Sequence, residues 1–441
     1  MRGFTGAAES SHRGEQKVKP DACLFRFGAS SRQDSKVSTA TAVRDDRHPG
    51  SLVQVALVFL RLGLTSFGGP VAHLGYFHTE FVERRKWLSD RAYADLVALC
   101  QFLPGPASSQ VGMAIGLQRA GLLGLLAAWI GFTLPSALLL FGFAMGVAAL
   151  GDLSRAGWVL GLKAAAVAVV AHAVLGMAKS VTPDGRRATI AVGAMIVVLL
   201  VPSPLATIGA LVLAGIAGLC WLTAPSMPEG GSDHFPIRLS RGGALASLAG
   251  FAALLAGLPI LAAATGNGAL GLVDTFYRAG ALVFGGGHVV LPLLQAETVQ
   301  TGLIDPGIFL AGYGAAQAVP GPLFTFAAFL GAVTTGGPSG ALGAGLALVA
   351  VFLPSALLVI GVLPFWDRVR RAPRTRRMLM GVNAGVVGLL AAALYDPVFT
   401  AGITGVNSFV IAATVFVALV AWRAPVWALV LGAAAAGWLL L

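Results

Sequence analysis

Runs of about 20 apolar residues recur along this chain from residue 51 to its last residue, and they constrain the fold more than any other feature. A helix needs roughly 20 apolar residues to cross the hydrocarbon core of a bilayer. Of the 441 residues, 56% are hydrophobic and only 11% are charged, whereas soluble domains average about 25% charged residues. The sequence therefore predicts an all-α polytopic membrane protein, because helices satisfy their backbone hydrogen bonds internally in lipid.

The apolar stretches divide into about 12–13 candidate membrane segments. They are 51–72, 93–117, 121–150, 157–178, 188–202, 204–222, 243–264, 270–294, 308–333, 339–363, 379–395, 402–421 and 424–441. Two of them, 93–117 and 308–333, contain Pro-Gly-Pro, and proline and glycine disfavour a continuous helix. We expect these two to be broken or re-entrant.

The distribution of charge predicts the domain order and the orientation. Residues 1–50 are polar and charged and are predicted to form a disordered cytoplasmic tail, followed by a first membrane repeat at 51–222. A linker with an extra membrane helix is predicted at 223–268, and a second repeat at 269–441. Most Lys and Arg beyond the tail fall in loops on the N-terminal side, which places the N-terminus in the cytoplasm. The basic segment "VERRKWLSDR" (82–91) disagrees with this topology unless it folds back at the interface.

The remaining composition argues against several function classes. The net charge of +11 fits cytoplasmic loops of a membrane protein better than nucleic-acid binding. The cysteines Cys23, Cys100 and Cys220 are isolated and predict neither disulfides nor a zinc site. No nucleotide-binding motif occurs, and an intramembrane enzyme would have only the lone residues Cys100 and His172. We expect no enzyme activity, no cofactor, no metal and no nucleic-acid partner.

An internal repeat relates the two halves of the chain. Five landmarks recur in one order at nearly constant spacing, which indicates a duplication. The pairs are Arg61 through Phe67-Gly68-Gly69 with Arg278 through Phe284-Gly285-Gly286, Glu80 with Glu297, "QFLPGP" (101–106) with "QAVPGP" (317–322), "LPSALL" (134–139) with "LPSALL" (353–358), and "GLKAAAVAVVA" (161–171) with "GVNAGVVGLLA" (381–391). An odd number of spans separates the copies, which predicts inverted-topology repeats. Secondary transporters have this plan, with a site near the midplane where interrupted helices meet.

The two arginines of the repeat, Arg61 and Arg278, lie in apolar runs. A charge at the centre of a membrane helix costs about 2.5–3.5 kcal/mol, so such residues face a partner or a polar cavity. One interpretation is a structural ion pair with Glu80, Asp95, Asp274 or Glu297. The other is a symmetry-related pair of anion ligands, because guanidinium groups suit oxyanions.

The Phe-Gly-Gly and Pro-Gly-Pro motifs extend the second interpretation. A broken helix exposes backbone N–H groups that carry partial positive charge, and these groups bind anions. Use as hinges or packing sites is the competing interpretation. The predicted anion-binding residues are Arg61, Phe67, Gly68, Gly69, Gln101, Pro104, Gly105, Pro106, Lys163, Arg278, Phe284, Gly285, Gly286, Gln317, Pro320, Gly321 and Pro322.

Four titratable residues near the breaks are candidates for proton coupling: Glu80, Glu297, His73 and His288. Interfacial histidines, or buried ones with satisfied hydrogen bonds, are the alternative explanation for the two imidazoles.

These motifs match those of a known family. The chain resembles the long, two-domain form of the chromate ion transporter (CHR) family in "FGGPVAHLGYFHTEFVERRKWLSDRAYADLVALCQFLPGPASSQ" (67–110), "FGGGHVVLPLLQAE" (284–297) and "AVPGP" (318–322). The resemblance implies an inner-membrane protein that exports chromate and so confers chromate resistance, with sulfate as a competitor or related substrate.

Two alternatives to chromate export remain open. The first is a carrier of sulfate or another oxyanion, working in either direction. The second is a membrane scaffold that transports nothing. The sequence predicts no oligomeric state.

Overall fold

The computed structural model describes residues 50–149, 156–223, 239–284, 290–366 and 372–441. The predicted tail (1–50) lies almost wholly outside the described residues. The helices are α1 Leu52–Thr65, α2 Gly69–His78, α3 Asp90–Phe102, α4 Ala107–Ala149, α5 Gly157–Val181, α6 Gly185–Leu200, α7 Pro204–Trp221, α8 Arg241–Thr265, α9 Gly268–Ala281, α10 Val290–Thr298, α11 Pro306–Ala318, α12 Phe326–Val333, α13 Gly340–Val362, α14 Pro373–Ala393, α15 Val406–Val420 and α16 Val426–Leu440. No strand occurs among these described residues.

Six of the described helical segments are long and apolar enough to cross a membrane, which confirms the predicted all-α polytopic class. They are Ala107–Ala149, Gly157–Val181, Pro204–Trp221, Arg241–Thr265, Gly340–Phe365 and Pro373–Gly402. Four shorter apolar helices of 10–17 residues accompany them: Leu52–Thr65, Leu323–Val333, Val406–Val420 and Val426–Leu440. Several of the predicted 12–13 segments are therefore broken or short.

Glycines in the left-handed region produce the breaks that the sequence predicted. Helix α1 ends at Thr65, and α2 begins after Gly68, whose φ is 100°. Gly105 and Gly321 in the two Pro-Gly-Pro motifs have φ values of 119° and 97°. Only glycine adopts this conformation without strain. Helices α3 and α11 have 13 residues each, or about 20 Å, so neither crosses a core of about 30 Å alone.

In each repeat, the helical segment that follows Pro-Gly-Pro packs closely on the segment that comes next in the chain. Helix α4 has non-helical dihedral angles at residues 120–121, so it consists of two helices. A Cβ atom on Gly116 would collide with the backbone of Gly124, and one on Gly331 would collide with Gly343. Close backbone contact between small residues stabilises membrane helix pairs. The separate span predicted at 121–150 is thus the second part of a tight hairpin.

Helix packing within each repeat follows the same plan. Helix α1 packs on the second part of α4, where Gly63 lies against the backbone of Gly131. Helix α9 packs on α13, where Gly280 lies against the backbone of Val351. Since Gly63 and Gly280 are equivalent positions, the duplication seen in the sequence is also a duplication of structure.

Each repeat also packs a long helix on the final helices of the other repeat. Helix α5 of the first repeat packs on α15 and α16, and α14 of the second packs on α6 and α7. Gly161 lies against Ala433, and Gly381 lies against Ala214. These residues correspond across the repeats, so the contact is reciprocal. Reciprocal contacts are the mark of an approximate two-fold relation, which an inverted repeat requires.

We expect Gly105→Ala and Gly321→Ala each to lower the thermal stability of the purified protein. A Cβ atom at these left-handed positions costs about 1–2 kcal/mol, and it would meet the side chains of Ser355 and Ser136, respectively. Gly142→Ala is the matched control, because Gly142 lies in α4 with open space around it. Size-exclusion chromatography after heating measures the change. Equal stability of all three variants would show that the breaks do not depend on glycine.

Candidate functional site

A cavity of about 660 Å³ lies where the broken helices of the two repeats meet. Three helix N-termini border it: α2 through Gly68 and Gly69, α4 through Gly105, and the 3-10 turn before α12 through Gly321. The first N–H groups of a helix have no partner within the helix and carry partial positive charge. No side chain caps the helix starts at Gly68 and Pro322. Three helix starts with partial positive charge therefore border the cavity, an arrangement that favours an anion.

Two equivalent hydrogen bonds join the breaks across the repeats. The Gly105 N–H donates to the carbonyl oxygen of Val283 at 2.7 Å, and the Gly321 N–H donates to that of Ser66 at 2.8 Å. Each Pro-Gly-Pro turn thus closes on the residues just before the Phe-Gly-Gly of the other repeat. The cavity wall can form only when both repeats are in place.

The serines of the repeated "LPSALL" motif complete this junction. Ser355 Oγ lies against Gly105, and Ser136 Oγ lies against Gly321, again across the repeats. Gln110 Nε2 donates to the Pro104 carbonyl at 2.6 Å and lies 3.4 Å from Ser355 Oγ. The sequence predicted no role for these two serines, although their repetition marked the motif.

Carboxamides supply polar side chains to the cavity. The predicted residues Gln101 and Gln317 both line it, and they come from the equivalent helices α3 and α11. Among the described residues, Gln317 Nε2 and Asn383 Oδ1 are buried without a hydrogen-bond partner. Asn383 also lines the cavity. Buried polar atoms are normally paired, so the Asn383 carboxamide is available to a bound molecule, whereas Gln317 also lies within hydrogen-bonding reach of Tyr313.

Arg278 is held by two carboxylates in the second repeat. Its Nη2 lies 2.8 Å from Asp274 Oδ2 and 3.0 Å from Glu297 Oε2. Asp274 and Glu297 are only 5% and 6% exposed. The ion pair that the sequence left open is therefore present for Arg278, and the arginine compensates two charges that would be costly alone.

The other two predicted cations also lie away from the cavity. Arg61 is exposed on α1. Glu80, one of the candidate ion-pair partners named from the sequence, pairs with Arg85 at 2.6 Å. Lys163 is buried, and its Nζ lies beside Gly307 and Asp305 at the start of α11. Among the described lining residues there is no Lys or Arg. Anion binding by Arg61, Lys163 and Arg278 stays a prediction.

The remaining predicted residues do not belong to the described lining. Those that adjoin a lining residue in the chain are Phe67, Pro104, Pro106, Pro320 and Pro322, whereas Phe284 does not adjoin one. Gly285, Gly286 and His288 lie outside the described residues. His73 is buried, with its Nδ1 3.5 Å from Ser108 Oγ, and does not line the cavity. Proton coupling by Glu80, Glu297, His73 and His288 stays a prediction.

Sequence reasoning did not assign His172 and Asn383 to the site. His172 lines the cavity from α5, and Asn383 lines it from α14. A polar residue inside a membrane helix is itself a signal. Asn383 also carried the repeat signal, because it is the counterpart of Lys163. Within the described part of the chain, no group of three His, Cys, Asp or Glu is placed to hold a metal.

Comparisons with known proteins identify similar chains. A family model described as "Chromate transporter" matches residues 53–219 and 270–438. The chain is 31% identical over 416 residues to a "Chromate transport protein" of Pseudomonas aeruginosa, covering 89% of this chain and 93% of that protein. It is 28% identical over 350 residues to a "Chromate transport protein" of Cupriavidus metallidurans, covering 78% and 82% of the two chains. No solved structure matches.

We expect Arg278→Gln to lose folded protein, because it leaves two buried carboxylates without a counter-ion, a change that typically costs about 3–5 kcal/mol. Adding Asp274→Asn and Glu297→Gln should restore folding, since neutral amides need no counter-ion. Yield and monodispersity in detergent measure the effect. Arg84→Gln is the control, because Arg84 is exposed and its partner Glu80, 3.6 Å away, keeps Arg85 as a second partner at 2.6 Å.

The triple variant also separates the two interpretations of Arg278. If the arginine serves only as a counter-ion, the triple variant binds oxyanion like the wild type. A folded triple variant that binds none would support Arg278 as an anion ligand.

Proposed function

This chain belongs to the chromate transporter family, and on that premise we propose that it is a secondary transporter that carries chromate through the cavity between its repeats. The supporting observation is the convergence of three uncapped or glycine-bordered helix N-termini on one cavity. Chromate is a tetrahedral dianion whose oxygens accept hydrogen bonds from every direction. Backbone N–H groups at helix N-termini are suited to such a ligand.

The charge balance of the site agrees with a dianion. Each helix N-terminus carries roughly half a positive charge, so three of them offset a large part of two negative charges. The carboxamides Gln101 and Gln317 can turn their N–H groups to the remaining oxygens. The proposed contacts with the dianion do not require Arg61, Lys163 or Arg278, since these residues are not part of the described lining.

Alternating access is proposed to use the two-fold relation of the repeats. The hydrogen bonds from Gly105 and Gly321 are equivalent, so rocking that lengthens one and shortens the other exchanges the roles of the two halves. Inverted repeats in secondary transporters move in this way around a fixed midplane site. The proposal includes the inverted orientation and a cytoplasmic N-terminus.

Export across the inner membrane is the proposed direction. With an inside-negative potential, each negative charge that leaves gains about 2.3 kcal/mol per 100 mV. A dianion therefore leaves the cell without ATP. Removal of chromate from the cytoplasm would confer resistance.

A second candidate is a carrier of sulfate or a similar oxyanion, including an importer. It is favoured by the described lining, whose polar groups are backbone amides, carboxamides, an imidazole, a serine and a buried thiol. None of these groups distinguishes chromate from an isostere of the same shape and charge. The described lining therefore fits tetrahedral oxyanions as a class and does not select one of them.

Reconstituted vesicles test the function. We expect radiolabelled chromate to move toward the positive side when a potassium diffusion potential is applied, and unlabelled sulfate to compete if both bind the cavity. Flux that is insensitive to potential would contradict electrogenic export. Sulfate flux without chromate flux would favour the second candidate, and no oxyanion flux at all would favour a scaffold.

We expect Gln101→Leu and Gln317→Leu each to weaken chromate binding by roughly 10- to 100-fold, because a hydrogen bond to a charged group contributes about 1.5–3 kcal/mol. Gln54→Leu is the matched control, since Gln54 is exposed on α1 away from the cavity. Isothermal titration calorimetry of the purified variants gives the dissociation constants. Wild-type affinity in both cavity variants would place the site elsewhere.

A further inference from the structure

One imidazole, that of His172, faces the proposed oxyanion cavity within the described part of the chain. The lining residues of α5 follow helical spacing along one face: Val169, His172, Ala173, Gly176, Met177, Ser180 and Val181. The His172 side chain is exposed on this face. It therefore points into the cavity and not into the packed interior of the helices around α5.

The groups that share the cavity with His172 carry no formal charge of their own at neutral pH. Helix α3 contributes Cys100 and Gln101, α11 contributes Gln317, and α14 contributes Asn383. Helix α16 contributes the apolar Val426. Among these described lining residues, His172 and Cys100 are the titratable ones, and only an imidazole can acquire a positive charge.

The charged residues of α5 and of the segments packed on it or adjoining it do not line the cavity. They are Lys163, Lys179, Asp184, Asp305, Arg374, Arg376, Arg377, Asp396 and Arg423. Lys163 is nine residues before His172, a distance of about 13 Å along the helix. Its side chain lies beside Asp305. Asp396 borders a different cavity, with Pro202 and Gln295. No described carboxylate in the lining competes with an anion for His172.

We propose that His172 is the proton-binding group of this cavity, so that an oxyanion and a proton on the imidazole bind together. The inference rests on the proposed function and adds a coupled proton to it. An imidazole changes charge between pH 5 and 8. A dianion held in the same cavity favours the protonated ring, and by thermodynamic reciprocity the protonated ring binds the dianion more tightly.

The proton makes the two halves of the transporter unequal. The position equivalent to His172 in the second repeat is Ala392, in the same alignment that pairs Lys163 with Asn383. The cavity thus takes up one proton on one side of the approximate two-fold axis. A dianion that travels with this proton moves one net negative charge in place of two, which halves the electrical driving force for export.

Chromate binding by the purified full-length protein tests the proposal. Dissociation constants of wild type and His172→Gln are measured at pH 6, 7 and 8. Chromate itself takes up a proton in this range, but its protonation is common to both proteins and cancels in their ratio. We expect wild type to bind chromate more tightly than His172→Gln, and the ratio of the two affinities to grow roughly tenfold from pH 8 to pH 6, because one linked proton changes affinity at most tenfold per pH unit.

The matched control is His78→Gln. His78 lies at the other end of α2, where its Nε2 is 2.8 Å from Asp90 Oδ1, and it does not line the cavity. This variant should keep the pH dependence of wild type. A ratio between wild type and His172→Gln that is constant with pH would overturn the proposal and leave chromate binding intact.

Proton uptake by wild type alone provides a second measurement that does not depend on how the variant folds. Chromate added at pH 8 in weak buffer should raise the pH reported by an indicator dye, since chromate is then a dianion and only the protein takes up protons. No proton uptake on binding would overturn the role of His172. No chromate binding at pH 8 would overturn the proposed function as well, which distinguishes the two failures.

Discussion

The reciprocal closure of helix breaks across the repeats is the interaction on which the rest of this structure depends. A break inside a membrane leaves backbone groups that lipid cannot satisfy. Here the Gly105 N–H bonds to Val283, and the Gly321 N–H bonds to Ser66. Each repeat thus supplies the partner that the other lacks. Because the same turns that close the breaks also border the cavity, folding and site formation are one event.

The positive charges that first suggest an anion site lie outside the described lining of the cavity. Arg278 compensates Asp274 and Glu297, and Lys163 lies beside Asp305. The described cavity instead presents dipoles, carboxamides and one imidazole. Such groups bind an anion without the full charge that would hold it permanently. A transporter must also release its substrate, so moderate attraction suits the task.

Much of the site was predictable because its signals are local. Glycines in Phe-Gly-Gly and Pro-Gly-Pro mark left-handed turns whatever surrounds them, and their duplication placed Gln101 and Gln317 at equivalent positions. The partners of the charged residues were not predictable, because the sequence allowed both an ion pair and an anion ligand for Arg278. His172 was also missed as part of the site. Nothing in its neighbours shows that this face of α5 borders a cavity formed by α3, α11 and α14.

By itself, the sequence determined that this protein is an all-α membrane protein built from two copies of one broken-helix unit. Hydropathy and helix-breaking residues act over a few turns, so they can be read along the chain. Only the tertiary structure decided that each copy closes the breaks of the other and that the cations lie outside the described lining. Those outcomes depend on which helix faces meet, and helices such as α5 and α14 pack on segments of the opposite repeat. Contacts between residues more than 100 positions apart leave no local pattern, as the bonds from Gly105 and Gly321 show.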